Sequence, residues 1–171
     1  MAESGSETVL VAAAHPDDEM LGCAGTLARH VDAGDDVHIV FFAVGGDGAR
    51  LERENAASQA ASFSAIQKAA RAAAQAIGAE PPHFLGFPDN RMDELPLIEI
   101  VKPFEQLVQS LRPSIIYTHH AGDLNVDHRL THQAVLTACR PMPGSRVSAI
   151  YAFEVLSSTE WASPQGDAAF R

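Results

Sequence analysis

The chain has 171 residues, a formal net charge of −10 at pH 7, 46% hydrophobic residues and 20% charged residues. This length suits one domain with a substantial core, and this composition is that of a soluble globular protein. The acidic balance, with no cluster of Lys and Arg, argues against nucleic acid or an anionic membrane surface as the main partner.

No apolar run approaches the roughly 18 residues that an integral membrane segment needs. The N-terminus lacks the basic region of a signal peptide. The two cysteines, Cys23 and Cys139, have no metal-site spacing and are predicted to be reduced thiols in the core. These features favour a cytoplasmic protein, and a homo-oligomer is compatible with this composition.

Short apolar runs alternate with stretches of helical spacing along the chain. Strands are predicted at residues 8–13, 37–43, 83–85, 114–118 and 147–153. Helices are predicted at residues 19–33, 55–77, 95–111 and 127–139, and the glycines at 34 and 78 favour the ends of the first two. This alternation predicts an α/β fold: a doubly wound, mostly parallel sheet with helices on both faces.

The segment His15-Pro16-Asp17-Asp18-Glu19 directly follows the first strand. It puts an imidazole and carboxylates at the carboxyl edge of a parallel sheet, where open α/β folds build their sites. Packed carboxylates repel one another and are costly to bury, and a divalent metal relieves both penalties. The rigid Pro16 lets His15 and Asp18 converge as zinc donors while Asp17 points elsewhere.

The alternative for this segment is a purely structural role at the start of a helix. Asp17, Asp18 and Glu19 would then favour the positive end of the helix dipole. That alternative explains the acidic residues but not His15 immediately after an apolar strand. We therefore favour a metal-assisted enzyme.

A second polar cluster, residues 118–128, follows the fourth strand. It is expected at the same edge of the sheet, so a His in the first turn of the next helix can supply a third metal ligand. Asp123 and Asp127 are candidate hydrogen-bond acceptors that orient the imidazoles.

The other histidines of this region are weaker candidates. For His119 and His120, a solvated loop at residues 119–125 is an equal alternative. His132 lies on the same helical face as His128, and a place behind the ligands or in the core suits it better than ligation.

The two motifs together resemble one family. His15-Pro16-Asp17-Asp18-Glu19 with Leu21-Gly22, and Asp123-Leu124-Asn125-Val126-Asp127-His128, are similar to the PIG-L/LmbE-like zinc deacetylases. The resemblance spans nearly the whole chain, from the first strand to the Phe-Glu pair after the last. It implies a Rossmann-like fold and a hydrolase that removes acetyl from N-acetylglucosamine-type sugars, such as glycolipid and thiol precursors and antibiotic intermediates.

The resemblance also implies residue roles. His15 and Asp18 correspond to the first two zinc ligands, and His128 to the third. Asp17 corresponds to the general base that takes a proton from the attacking water. Zn²⁺ is the implied cofactor, and Fe²⁺ or Co²⁺ would fit the same donors. A small N-acetylated sugar is the implied partner.

The chain departs from the family pattern in three places. Asn125 stands where many members have a His that assists the oxyanion or the leaving group, and Asn can donate a hydrogen bond but not a catalytic proton. The helix before Gly78 is mostly Ala, where many members have an Arg/Glu pattern. Full-length members continue further, so we expect residues 1–171 to form one catalytic domain that lacks a C-terminal segment.

Candidate substrate contacts lie in two loops. Arg91, in the loop at residues 86–94, is suited to sugar hydroxyls or a phosphate, with Asp89 and Asp93 fixing its side chain. A solvated turn with local ion pairs is an equal alternative. Arg50, in the glycine-rich loop at residues 44–50, is a weaker candidate of the same kind.

Other protein classes fit less well. A receiver-like phosphoacceptor needs a Lys after the fifth strand, and no Lys follows Lys102. A dinucleotide enzyme needs a GxGxxG turn after the first strand, which is missing. A non-catalytic metal-binding homologue would not need the free carboxylate of Asp17. A zinc amidase that acts on a non-sugar amide stays open.

Overall fold

The computed structural model describes residues 6–44 and 56–161. Five parallel strands form one sheet in the order β3-β2-β1-β4-β5. The strands are β1 (Thr8–Ala13), β2 (Asp36–Ala43), β3 (His83–Phe87), β4 (Ile115–His119) and β5 (Ala149–Phe153). From β1 the chain winds outward through β2 and β3, then returns to the other side of β1 with β4. The carboxyl ends of β1 and β4 therefore flank the point where the winding reverses, which is where α/β sheets bind ligands.

Four helices of the described residues cover the sheet: α1 (Asp18–Asp32), α2 (Ala56–Ala76), α3 (Leu97–Leu111) and α4 (Val126–Ala138), with a 3₁₀ turn at Met92–Glu94. Successive residues of β1 point to opposite faces, as the strand period requires. Val11 packs in a core with α1 and α2, and Leu10 packs in a second core with α3 and α4. The predicted doubly wound α/β fold, with helices on both faces, is confirmed, and every strand pair described is parallel.

The element boundaries differ from the prediction mainly where a cluster of polar residues follows a strand. β4 includes His119, which pairs in register with Phe153 of β5, so the loop predicted from residue 119 begins one residue later. β3 continues to Phe87, and α3 begins at Leu97 after the capping Pro96. At β4 the polar His119 gave no sign of a continuing strand, and at β3 the glycine at position 86 was taken as the start of a loop.

The prediction for the cysteines is confirmed. Cys23 and Cys139 are buried and free, and burial raises the pKa of each thiol to about 12. In the part of the chain that the structure describes, no helix is both long enough and apolar enough to cross a membrane.

Gly22 on α1 marks a close approach between α1 and β5. A Cβ added there would lie 2.3 Å from Cδ2 of Phe153, whereas one added at Gly25 would meet nothing within 4 Å. The Phe153 ring is buried and lies 4.8 Å from the His119 ring, so it has little room to move.

We therefore expect Gly22→Ala to destabilise the protein relative to Gly25→Ala by about 1–3 kcal/mol, the usual effect of overpacking. Gly25→Ala is the matched control, because Ala favours a helix interior over Gly by about 1 kcal/mol at either position. Urea unfolding midpoints of the two variants measure the difference. Equal midpoints would show that the helix shifts freely at this contact.

Candidate active site

Three candidate metal donors meet where β1 and β4 end. His15 lies between β1 and α1, Asp18 is the first residue of α1, and His128 lies in the first turn of α4. One ligand atom from each lies within 4.8 Å of the other two. Nδ1 of His15 is 3.4 Å from Oδ2 of Asp18, and Nε2 of His128 is 3.3 Å from the same oxygen.

These separations match the edges of a metal coordination tetrahedron. Zinc bonds of about 2.0–2.2 Å to nitrogen and oxygen place neighbouring donors roughly 3.3–3.6 Å apart. Two imidazoles and one carboxylate are a donor set that Zn²⁺ accepts, and three protein donors leave a position for water or substrate. The residues present therefore fit a catalytic zinc ion.

Asp127 orients the His15 ring through a hydrogen bond with Nε2, the ring nitrogen that does not face Asp18. Its buried carboxylate accepts hydrogen bonds from His15 Nε2 at 3.0 Å and from the backbone N–H groups of Asn90 and Met92 at 2.7 and 3.1 Å. With Nε2 bonded to Asp127, Nδ1 of His15 faces Asp18. Partners of this kind fix the tautomer and the orientation of a metal-binding imidazole.

His15 is surrounded by carboxylates. Asp89 Oδ1 is 3.2 Å from His15 Nε2, in addition to the contacts with Asp127 and Asp18. Burial lowers the pKa of His15, but the hydrogen bonds to Asp127, Asp18 and Asp89 outweigh it and raise the pKa to about 12. The surrounding carboxylates therefore favour positive charge at His15, whether a proton or a metal ion bound to the ring.

Asp123 orients the His128 ring, as Asp127 orients the His15 ring. Its Oδ2 lies 3.2 Å from His128 Nδ1 and accepts hydrogen bonds from Ser158 Oγ at 3.0 Å and Thr159 Oγ1 at 2.6 Å. Burial raises the pKa of Asp123, but hydrogen bonds with His128, Thr159 and the backbone N–H of Asn125 lower it to about 2. The ionised carboxylate directs Nε2 of His128 toward Asp18.

Asp18 lies among three imidazoles. Burial raises its pKa, but the contacts of its carboxylate with the imidazoles of His119, His128 and His15 lower it well below the ordinary range. The backbone N–H of His15 also donates to Asp18 Oδ2 at 2.8 Å. The lowered pKa favours the ionised carboxylate that a metal ion needs as a ligand.

His119 is not in a solvated loop, so that alternative is wrong for this residue. Its side chain is fully buried, and its ring stacks on that of His128 with centroids 3.9 Å apart. The backbone N–H of Ala14 donates to His119 Nε2 at 2.9 Å, which occupies the lone pair that a metal would need. Burial lowers the pKa of His119 to about 4, so the ring is neutral at pH 7.

The two remaining histidines of the region have backbone partners. His120 Nδ1 accepts a hydrogen bond from Gly122 N–H at 3.1 Å. His132 Nδ1 donates to the carbonyl oxygen of His119 at 2.7 Å, so this side chain braces the end of β4.

Asp17 has a strained backbone. Its φ angle is 143°, a conformation that residues other than glycine rarely adopt. Its N–H donates to Oε2 of Glu19 at 3.0 Å, and its carbonyl oxygen accepts the N–H groups of Met20 and Leu21. Burial and the charge of Asp18 raise the pKa of Asp17.

Glu19 is a functional candidate that the motif reading passed over. Its side chain is 1% exposed, and burial raises its pKa to about 7. The hydrogen bond from Asp17 N–H to Glu19 stabilises the strained backbone and so fixes where the Asp17 carboxylate points. The sequence signal for this role was a carboxylate at the start of a helix, two residues after Asp17.

Asn125 caps α4. Its Oδ1 accepts the N–H groups of Asp127 at 2.8 Å and His128 at 3.4 Å, and its Nδ2 donates to Asn90 Oδ1 at 3.4 Å. The carbonyl half of the side chain therefore orients the turn that carries His128. The amide half is the part that can donate to a substrate.

Arg91 is paired with Glu94 of the same loop, as the alternative of local ion pairs predicts, and not with Asp89 or Asp93. Its Nε and a guanidinium N–H₂ donate to the two carboxylate oxygens of Glu94, each at 2.8 Å. Asp89 turns toward His15 instead, and Asp93 is exposed. Arg50 lies outside the described residues.

The fold and the site together define an α/β protein with a His/Asp/His donor set at the carboxyl edge of its sheet. Residues 10–139 match the family described as PIG-L, GlcNAc-PI de-N-acetylase. The chain belongs to the PIG-L family.

Two relatives carry deacetylase names. YaiS of Escherichia coli K12, named an uncharacterized deacetylase, is 29% identical over 142 residues, which cover 79% of this chain and 69% of YaiS. The 1D-myo-inositol 2-acetamido-2-deoxy-alpha-D-glucopyranoside deacetylase of Mycobacterium sp. strain KMS is 29% identical over 148 residues, 73% of this chain and 47% of the relative. The chain thus spans about half the length of the mycobacterial protein.

Two solved structures share the fold. The N,N'-diacetylchitobiose deacetylase of Pyrococcus horikoshii has a TM-score of 0.74 and 20% identity, over 88% of this chain and 61% of that protein. GalB of Pseudomonas putida KT2440, a 4-carboxy-2-hydroxymuconate hydratase, has a TM-score of 0.72 and 26% identity, over 86% of this chain and 65% of GalB. The second name shows that proteins of this shape include a hydratase, so the reaction has to be argued from the site.

Proposed function

We propose that this protein is a zinc-dependent hydrolase that removes the acetyl group from an N-acetylglucosamine-type sugar conjugate. The observation that carries the proposal is the donor triad of His15, Asp18 and His128, with separations of 3.3–3.4 Å that match a zinc tetrahedron, next to Asp17, which is not one of the three donors. The names of the mycobacterial and Pyrococcus proteins, both deacetylases of N-acetylated sugars, support the choice of substrate class.

The chemistry divides between the ion and the chain. His15, Asp18 and His128 would hold a zinc ion, which when bound would lower the pKa of water toward about 7 and polarise an amide carbonyl. Asp17 accepts a proton from the water that attacks the carbonyl carbon, and returns it to the amide nitrogen. The carbon–nitrogen bond then breaks, which leaves acetate and the amine of the sugar.

Other residues have supporting roles in the proposal. Asp127 and Asp123 hold the two imidazoles in their tautomers, and Asn125 Nδ2 offers a hydrogen bond to the developing oxyanion. Arg91 and Asp93, on the loop after β3, are the candidate contacts to sugar hydroxyls, and Arg50 belongs to the same proposal. Reduced thiols at Cys23 and Cys139 support a cytoplasmic site of action.

Acetate release from a panel of N-acetylglucosamine conjugates tests the proposal. The panel contains free and glycosidically linked N-acetylglucosamine, a simple aryl acetamide and an unsaturated dicarboxylate. We expect zinc-loaded protein to release acetate from the sugars, and the release to stop with a chelator and return with added Zn²⁺. Hydrolysis of the aryl acetamide alone would favour the non-sugar amidase. Hydration of the unsaturated acid without acetate release would favour a GalB-like reaction and overturn the proposal.

Glu19 offers a test of how Asp17 is positioned. Glu19→Gln keeps a side-chain oxygen that can accept the Asp17 N–H, and Glu19→Leu removes it. We expect Glu19→Leu to lower kcat by about 100-fold, because a misplacement near 1 Å has effects of that size. Glu19→Gln should keep most of kcat, and both should keep their zinc. Steady-state kinetics and zinc content check this; a Gln variant as slow as the Leu variant would mean that the carboxylate itself is needed.

A further inference from the structure

A cavity of about 250 Å³ lies directly beside Asp17, between the start of α1 and the middle of α2. The α1 side is formed by Pro16, Asp17, Glu19 and Met20, and the α2 side by Ile66, Ala69, Ala70 and Ala73. An engineered apolar cavity of about 150 Å³ is enough to bind benzene. This cavity therefore has room for a phenyl ring or a short alkyl chain.

The lining of this cavity selects an apolar occupant. The residues that α2 contributes to the lining all have aliphatic side chains. Of the two acidic residues, Asp17 transfers the proton in the proposed reaction, and Glu19 accepts a hydrogen bond from the Asp17 N–H. Among the residues that the structure describes, no Lys or Arg lines it, so these would leave a phosphate or carboxylate unpaired beside two acidic groups. A sugar ring would likewise lose hydrogen bonds to water without replacing them.

The position of Asp17 decides which part of the substrate reaches this space. In the proposed reaction Asp17 returns a proton to the amide nitrogen, so the nitrogen and the groups attached on its side lie toward Asp17. In a 2-acetamido sugar, the carbon that carries this nitrogen is bonded to the anomeric carbon. A group on the anomeric oxygen is therefore close to the nitrogen, and the acetyl methyl group lies on the opposite side of the carbonyl carbon.

We propose that this cavity binds an apolar aglycone, so that the preferred substrate is an N-acetylated amino sugar with an alkyl or aryl group on its anomeric oxygen. The proposal rests on the proposed deacetylase function and specifies the substrate of that site. The small side chains of α2 then set specificity, because they leave open the volume that the aglycone fills.

The first test compares glycosides that differ only in the aglycone. Acetate release is measured for the methyl, hexyl and phenyl glycosides of N-acetylglucosamine. We expect kcat/KM to be about 10–100-fold higher for hexyl and phenyl than for methyl, the range for burying one apolar group of this size. Equal values for the three would overturn the proposal, as would a preference for longer N-acyl chains without any preference for the aglycone.

A pair of variants on α2 ties the preference to this cavity. Ala73→Leu places a larger side chain in the cavity, and Ala72→Leu makes the same change at the next residue, which is exposed and does not line it. We expect the phenyl-to-methyl ratio of kcat/KM to fall toward one in Ala73→Leu and to stay high in Ala72→Leu. An unchanged ratio in Ala73→Leu would place the aglycone elsewhere and overturn the assignment.

A binding measurement separates failure of this proposal from failure of the proposed function. If the protein releases no acetate, titration calorimetry of the zinc-loaded protein measures its affinity for the phenyl and methyl glycosides without turnover. Tighter binding of the phenyl glycoside that is lost in Ala73→Leu would support the cavity assignment even if no substrate in the panel were hydrolysed. Equal binding of both glycosides would overturn the assignment, whatever the activity.

Discussion

Asp17→Asn is expected to lower kcat for acetate release by about 10²–10⁴-fold, the contribution of a positioned general base. The amide cannot accept the proton of the attacking water, since it has no basic lone pair at neutral pH. Asparagine has nearly the same volume and tolerates positive φ better than most residues, so the backbone at φ 143° should persist. The loss therefore reports chemistry rather than misfolding.

The control for this variant is Asp32→Asn, which makes the same change at the exposed C-terminal end of α1. Both variants should hold as much zinc as the wild type, because Asp17 is outside the donor triad. Full activity in Asp17→Asn would refute the assignment of the base. Loss of zinc in Asp17→Asn would instead make Asp17 a ligand.

Asp18→Asn should abolish stable zinc binding and, with it, activity. Asp18 supplies the only negative charge among the three donors, and its Oδ2 lies 3.3–3.4 Å from both imidazole donors. Loss of an outer hydrogen-bond partner of a ligand lowers metal affinity by about 10–100-fold, and loss of the ligand charge should exceed that. Zinc content after dialysis against a weak chelator, and the rise of Tm on zinc addition, measure the effect.

Asp127→Asn gives the graded comparison. One amide oxygen cannot serve His15 and the N–H groups of Asn90 and Met92 as the carboxylate does, so we expect zinc affinity to fall by about 10–100-fold. We expect zinc affinity to decrease from the wild type to Asp127→Asn and further to Asp18→Asn. An Asp18→Asn protein that binds zinc as tightly as the wild type would refute the donor triad.

Most of the fold was predictable from local pattern. The apolar run at Thr8–Ala13 is observed as β1 with the predicted bounds, and the glycines at 34 and 78 have the positive φ that ends a helix. These features depend on a few neighbouring residues. Strand ends were less predictable: His119 is polar but continues the ladder to β5, because burial against His128 and Phe153 is decided by distant segments.

The residues of the candidate site could be named from the sequence, but the pairing of each carboxylate with an imidazole could not. The motif puts His15 and Asp18 together by sequence spacing, and the second polar cluster offers a His in the first turn of the next helix, which the resemblance identifies as His128. Which carboxylate serves which imidazole depends on how the loop after β3 crosses α4, since Asp127 accepts from Asn90 and Met92 as well as His15. That crossing is a tertiary arrangement without a local sequence signal.

The strained backbone at Asp17 lowers the stability of the fold at the residue that the proposed reaction needs. Glycine adopts positive φ freely, so Asp17→Gly would relieve about 1–3 kcal/mol of strain and also remove the repulsion between this carboxylate and Asp18. A library of variants selected only for heat tolerance should therefore enrich glycine at position 17 and lose the proposed reaction with it. Directed evolution of this protein toward thermostability needs a screen for turnover at every round.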